Sequence, residues 1–317
     1  MSEDQQELWD IFFPYAAAKN RVVQEKNIRF AYYTTAETAL KILRNREVWM
    51  RNARTMNDFE EIAYGRDLVI SGYNSDTGKA FQAALNSIFP NFCAEFEQLF
   101  NQWLPLFLTE TFIACFSEHA DSEDNLGRLS MWRAYGKQNG VALIANNKVF
   151  MSNTDSLGIY SSPVAYLTQA GMEKELAHVT QNVLANRDPI LAAGAATIRD
   201  KVFAMFQFAI ICIKHPGFHE EREWRAIWSP TFGTHGKHKR DVECIGGVPQ
   251  AVLKIPLVDY PGEGIVGVEP GKLINRVIVG PTEYGGTIRD AIASEMAKVG
   301  IPDPASRIVI SDIPLRT

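Results

Sequence analysis

The chain has 317 residues, 46% hydrophobic and 22% charged, values near globular averages that exclude a disordered or fibrous polymer. Its net charge of −5 argues against a nucleic-acid-binding surface spread over the whole molecule, though a local basic patch is compatible with it. The four cysteines, Cys93, Cys115, Cys212 and Cys244, form no CxxC pair and no histidine-spaced zinc pattern, so they read as reduced thiols. The opening MSEDQQELWDIFF lacks the basic start and apolar run of a secretory signal, and a cytoplasmic location is expected. No stretch reaches the roughly 18 to 20 apolar residues of a membrane span; the longest candidate, 202–213, contains Gln207 and reads as a buried core helix, so no membrane partner is expected. With no repeat and no low-complexity linker, one domain over 1–317 is expected.

In chain order, 5–18 carries Leu8, Ile11, Phe12 and Tyr15 at helical spacing, with Pro14 predicted to kink this N-terminal extension, which covers 1–20. Residues 28–33 read as a strand, and Thr34-Thr35-Ala36-Glu37 as a capping box for a helix through Leu43. A second strand over 47–51 precedes Asn57-Asp58-Phe59-Glu60, which repeats the capping signature before an amphipathic helix. Residues 77–108, rich in Phe and Leu and broken at Pro90 and Pro105, predict a helical insertion.

The run 111–117 has the length and apolarity of a central strand, followed by a polar loop over 118–125. Two helical turns over 129–135, a turn over 136–140 and a strand over 141–145 follow. A strand over 159–167 is weakened by Pro163. Helical patterning over 173–213 is interrupted near Asp188-Pro189, and HEEREWRAIW at 219–228 reads as a strand. Residues 231–247, almost without apolar side chains, predict a long exposed loop carrying the basic cluster His235, Lys237, His238, Lys239 and Arg240. Strands over 251–256, 275–279 and 307–310, with a helix over 287–299, complete an α+β fold: a central mixed, mostly antiparallel sheet flanked by helices.

Candidate chemistry centres on HEEREWRAIW. Alternate side chains of a strand share a face, which puts Glu221, Glu223 and Arg225 on one side and Trp224, Ala226 and Trp228 on the other. The charged face is either solvated surface or a cleft in which one carboxylate binds a ribose hydroxyl and stabilises an oxocarbenium-like centre while the other orients a nucleophile. Tyr32-Tyr33-Thr34-Thr35 is either a packed aromatic pair with a helix cap or an anion and base-stacking site. Capping explains Asn57 and Glu60 but leaves Asp58 without a role. Trp132 and Tyr135, three apart, predict one helical face that is either a core stripe or a clamp for a planar ring. His215 and His219 are separated by Pro216 and Gly217, so no metal site is expected. No GxSxG, GxxxxGK or GxGxxG occurs, which disfavours serine hydrolase, P-loop and dinucleotide-binding dehydrogenase readings.

Taken in order, several segments resemble the prokaryotic and phage family known as domain of unknown function 2971. They are Tyr32-Tyr33-Thr34 before Ala39-Leu40-Lys41-Ile42-Leu43, Asn57-Asp58-Phe59-Glu60, Cys115-Phe116-Ser117-Glu118, and Met131-Trp132-Arg133-Ala134-Tyr135-Gly136 before Gly140-Val141. Glu221-Arg222-Glu223-Trp224-Arg225, Ile278-Val279-Gly280-Pro281 and Ser311-Asp312-Ile313-Pro314 complete the set, with Phe59 where the family often has proline. The layout also resembles ADP-ribosyltransferases. That second resemblance implies NAD as substrate, Glu223 on a ribose hydroxyl with Glu221 as the upstream carboxylate, and Tyr33, Thr34, Trp132 and Tyr135 around the departing nicotinamide. The usual first-motif Arg or His is absent, which assigns the NAD phosphates to Arg51 or Arg54. The expectation is an enzyme transferring ADP-ribose to a nucleic-acid or protein acceptor, in phage defence or a toxin system, with Asn57, Asp58 and Arg225 completing its site and no metal. The alternatives are a magnesium-dependent nuclease using Asp58, Glu60 and Glu223, and a non-catalytic module that senses a nucleotide or a partner.

Overall fold

Helices α1 (Glu3–Phe12) and α2 (Pro14–Glu25) open the computed structural model, which describes residues 3–56, 59–136, 138–152, 156–232 and 236–314. Pro14 takes the first position of α2, where its missing N–H has no helical partner to lose, and the expected kink is an elbow at Phe13. Strand β1 (Arg29–Thr35) runs into α3 (Ala36–Asn45), but the cap sits one residue later than Thr34. Thr35 Oγ1 accepts the Thr38 N–H at 3.3 Å, while Glu37 reaches forward to Lys41 at 2.7 Å and not back to the cap. After β2 (Glu47–Asn52), the expected amphipathic helix is α4 (Phe59–Asn74), and the helical insertion expected over 77–108 is α5 (Asp76–Ile88) and α6 (Phe92–Glu110). Pro90 separates α5 from α6. Pro105, expected to break the run, lies inside α6, where Phe96, Phe100 and Phe107 pack into one aromatic core that holds the helix across it.

Strand β3 (Phe112–His119) leads to a short α7 (Leu129–Met131), a π-turn over Trp132–Gly136, and β4 (Gly140–Ala145). The strand expected over 159–167 is split at Val164 into β5 (Tyr160–Pro163) and β6 (Ala165–Tyr166). Helices α8 (Gln169–Ala185) and α9 (Arg187–Cys212) part at Asn186, and β7 (Ile213–Lys214) pairs in parallel with β6. Strand β8 (Glu223–Trp228) begins four residues later than the sequence pattern suggests, because 216–221 coil into a 3₁₀ turn that ends at Arg222 with φ 43°.

The loop expected over 231–247 is corrected in its second half. Residues Lys239–Ile245 form β9, which pairs antiparallel with β10 (Val248–Pro256) through a two-residue turn at Gly246 and Gly247, φ 60° and 83°. Such a turn needs positive φ at both positions, which Gly supplies without strain. β9 lies at the sheet edge with mostly exposed side chains, so it has no apolar face to betray it; backbone pairing and ion pairs from Asp241 and Glu243 to Lys254 hold it. The close is α10 (Pro270–Leu273), β11 (Ile274–Val279), α11 (Gly285–Lys298) and β12 (Ile308–Ile310).

The sheet is mixed and mostly antiparallel, with β11 and β12 its parallel pair, and the fold class is α+β. Its registers reveal a fork. Ser117 of β3 pairs with Glu223 of β8 on one side and Ala31 of β1 on the other, and Phe112 pairs with Trp228 on one side and Asn52 of β2 on the other. β1 and β2 therefore follow one another along the same edge of β3 and diverge opposite Ala114, Cys115 and Phe116. One wing continues from β1 through β4, β11 and β12, the other from β2 through β10 and β9. One face packs Ile113 and Ile227 against α1, α4–α6, α8 and α9; the other packs Val141, Leu143 and Val277 against α3 and α11. Among the described residues no helix is long and apolar enough to cross a membrane.

Candidate functional site

The charged face of β8 is buried. Glu223 is 5% exposed and Arg225 0%, between the helical block and the π-turn, so neither the open solvated face nor a wide cleft describes it. Lys214, the last residue of β7, places its ammonium among three carboxylates: Glu221 at 2.6 Å, Glu223 at 2.8 Å and Glu61 of α4 at 2.8 Å. Arg225 closes the ring, with Nε on Glu223 at 2.7 Å, Nη2 on Glu61 at 2.6 Å and Nη1 on the Ile211 carbonyl. Tyr166 Oη accepts the Glu223 N–H at 2.8 Å, and the Phe218 ring lies 5.1 Å from the Lys214 ammonium.

Glu221 reaches this ring by a route that strand alternation does not describe. It ends the 3₁₀ turn, and its carbonyl accepts from Ser117 Oγ at 2.7 Å and Arg128 Nη1 at 3.0 Å, which fix the side chain toward Lys214. Among the described residues three carboxylates face two cations in this ring, an excess of one negative charge among those five groups. The two strand-end glutamates respond in opposite directions. Burial would raise the Glu223 carboxyl, but Arg225 and Lys214 outweigh it and hold it at about 2. Burial raises the Glu221 carboxyl, and Glu223 and Glu61 add to the rise against the pull of Lys214. Burial works against the Lys214 charge, yet the carboxylates outweigh it and raise its pKa. Glu223 is therefore a locked anion, and Glu221 and Glu61, each with its side chain 16% exposed, stand at the solvent edge, Glu61 paired with both Lys214 and Arg225 and Glu221 with Lys214 alone among the described residues.

Trp132 and Tyr135 do not share a face. A π-turn hydrogen-bonds i to i+5, so three-residue spacing no longer aligns side chains. Trp132 is 5% exposed and Tyr135 38%. Trp132 packs edge-on against Tyr33, ring centroids 4.8 Å apart, and its Nε1 donates to the Leu126 carbonyl at 2.9 Å. A Cβ at Gly127, Gly140 or Gly280 would stand 2.5, 3.1 or 2.8 Å from the Trp132 side chain, so these glycines form a slot that the indole fills. Tyr33 and Trp132 are thus core, whereas Tyr135 lies within the field of Glu221, Lys214 and Glu223: burial raises its pKa, with Glu221 adding to the rise.

Tyr33 still touches the cluster indirectly, since its hydroxyl accepts the Arg128 N–H at 2.9 Å. Thr34 pairs with Val141 and, by alternation, stands on the opposite face from Tyr33. Arg51 donates to Gln250 at 3.0 Å and to the Thr55 carbonyl at 2.7 Å, while Arg54 is exposed in the 3₁₀ turn that follows β2. Asn57 and Asp58 lie outside the described residues. Sequence reasoning missed Glu61, Lys214, Tyr166 and Arg128; the one available signal was a lysine closing the apolar run Ala209-Ile210-Ile211-Cys212-Ile213, where a charge has to find a buried partner. Lys214 fills the centre that a divalent cation would need among these carboxylates, which argues against the nuclease reading at Glu223.

Fold and site together define an α+β protein with a forked sheet and a buried carboxylate–cation ring at its centre. Residues 131–226 match the family model DUF2971, described as a protein of unknown function, and this match over part of the chain supports the resemblance to that family. The matched segment contains the π-turn, Lys214, Glu221, Glu223 and Arg225, and leaves Glu61 outside. No curated protein and no solved structure matches the chain.

Proposed function

We propose that the chain cleaves the nicotinamide–ribose bond of NAD and transfers ADP-ribose to a nucleic-acid or protein acceptor, in a phage-defence or toxin setting. The observation that carries this reading is the excess carboxylate: Glu221 holds surplus negative charge at the solvent edge of a preorganised ring, beside the Tyr135 side chain. Loss of nicotinamide leaves an oxocarbenium-like ribosyl centre, and fixed negative charge aimed at a developing cation lowers its barrier. On this reading Glu221 faces the reacting sugar. Glu223 is a positioning residue that fixes Lys214 and Arg225, and Arg54 is the exposed cation offered to the phosphates.

The test is incubation with NAD labelled separately in nicotinamide and ADP-ribose, in the presence of cell extract. The expected result is nicotinamide release with ADP-ribose label on a macromolecule, lost in a folded Glu221→Gln variant. Absence of release from the wild type, or undiminished release from Glu221→Gln, would sink the reading.

A further inference from the structure

A cavity of about 120 Å³ lies beneath the α1–α2 elbow, away from the solvent edge of the ring. We propose that it binds a small neutral aromatic molecule, one ring in size and carrying an N–H or O–H donor, and that this occupant is sensed by the carboxylate–cation ring. Its wall includes Phe12, Phe13, Phe206 and Phe208, with Met172 and Met205 between them. Aromatic edges and thioether sulfur favour an aromatic guest in edge-to-face contact. The volume is of the same class as an engineered apolar cavity of ~150 Å³ that stays dry and takes up benzene. The Tyr15 hydroxyl donates to the Val164 carbonyl at 3.0 Å and keeps its oxygen as an acceptor, and the Glu175 carboxylate on the wall is a second, charged acceptor. A carboxylate selects a donor-bearing ring and repels an anionic one.

The coupling follows from strand alternation. Ala165 of β6 and Ile213 of β7 line the cavity, and their neighbours Tyr166 and Lys214 hold Glu223 on the other side. These two short strands are one wall shared by both sites, so a guest that shifts Ala165 or Ile213 shifts the atoms that hold Glu223.

The experiment uses the full chain and 4-bromophenol, with 4-bromobenzoate as the anionic control. Saturable binding with a rise in Tm is expected for the phenol and not for the benzoate. Filling the cavity from two different elements, with Ala209→Leu on α9 or Ala165→Leu on β6, is expected to weaken phenol binding at least tenfold in each variant that keeps the wild-type circular dichroism spectrum. The bromine also marks the site by anomalous scattering, independently of either variant. Absence of a Tm rise up to the solubility limit, equal binding of the benzoate, wild-type affinity in a folded filled variant, or bromine located elsewhere would each overturn the proposal. A protein that binds the phenol but releases no nicotinamide would overturn the NAD reading alone. Sensing is tested by the dependence of stability on pH between 5 and 7, which the bound phenol is expected to alter; an unchanged profile would refute the coupling.

Discussion

Replacing Lys214 by Met keeps the length and apolar stem of the side chain and removes the one ammonium that three carboxylates share at 2.6–2.8 Å. The lysine side chain is 1% exposed, so water does not replace it. Breaking a buried pair by deleting one partner costs about 3–5 kcal/mol, because the remaining charge is buried and unpaired. With an unfolding entropy of ~2.1 cal/mol/K per residue, a chain of 317 residues loses about 1.5 °C of Tm per kcal/mol, or about 5–7 °C in all. The loss should depend on pH. Without Lys214 the raised Glu221 carboxyl rises further and the depressed Glu223 carboxyl moves back up, and the folded state then takes up protons on Glu221 that the unfolded state takes up only near the ordinary value. The variant is therefore most impaired at neutral pH and recovers as pH falls toward about 5. The wild type has the opposite term: Glu223, held at about 2, contributes stability above its ordinary range that is lost as pH falls through about 2. Urea or thermal denaturation at pH 7 and pH 5 measures the variant's term, and denaturation from about pH 5 down to about pH 2 measures the Glu223 term of the wild type. A deficit below about 1 kcal/mol at pH 7 would refute the claim that the ring is tightly coupled and poorly solvated, and a deficit that grows on acidification would refute the assigned direction of the shifts.

Three further outcomes follow from local geometry. Gly280→Ala places a Cβ 2.8 Å from an indole that Gly127 confines from another side, so a loss of about 1–3 kcal/mol and a changed near-ultraviolet dichroism of Trp132 are expected. Gly246→Ala meets no atom within 4 Å, so its cost is backbone strain alone at φ 60°, about 1–2 kcal/mol by thermal denaturation, with Gly246→Asn closer to wild type. Thr35→Ala should cost about 1 kcal/mol and Thr34→Ala clearly less, because Thr35 caps α3; a larger loss for Thr34→Ala would place the cap where the sequence pattern put it.

The elements that sequence patterns revealed are those with an apolar face. β3, β4, α4–α6 and β8 carry periodic hydrophobic residues that must be buried, and they stand where periodicity placed them, within a few residues. β9 has no such face, and its visible signal, Gly246-Gly247, is turn chemistry of just the kind that a search for apolar periodicity passes over. The π-turn at Trp132 defeats the i, i+3 rule because it bonds i to i+5, and its indole packs against two nearby glycines, Gly127 and Gly140, and the distant Gly280. The fork in the sheet depends on where β1 and β2 stop pairing with β3, a long-range property with no local signature. At the site, Glu223 and Arg225 were legible from alternation, but their partners come from α4 and from β7, 162 and 9 residues from Glu223 in sequence. Glu61 was hidden beside Glu60 at a helix start, where acidic residues have a sufficient local explanation.

What separates a structural ring from a working one is its odd charge. Two cations and two carboxylates would neutralise each other, and Glu61 and Glu223 already bridge Lys214 and Arg225 on both sides. Glu221 adds a third carboxylate whose folded-state pKa is raised, so its ionised form subtracts from stability at neutral pH: the term is absent below the ordinary carboxylate range and sets in as pH rises through the raised value. Gln at this position keeps an oxygen for the Lys214 ammonium and removes that cost. Glu221→Gln should therefore leave thermal stability at pH 7 equal to or above wild type, whereas Glu223→Gln, which gives up a favourably held anion, should lower it. Functional sites are where a fold tolerates such unfavourable charge in exchange for activity. Equal destabilisation by the two substitutions would mean that Glu221 is structural, and the best ground for placing chemistry at this edge would be gone.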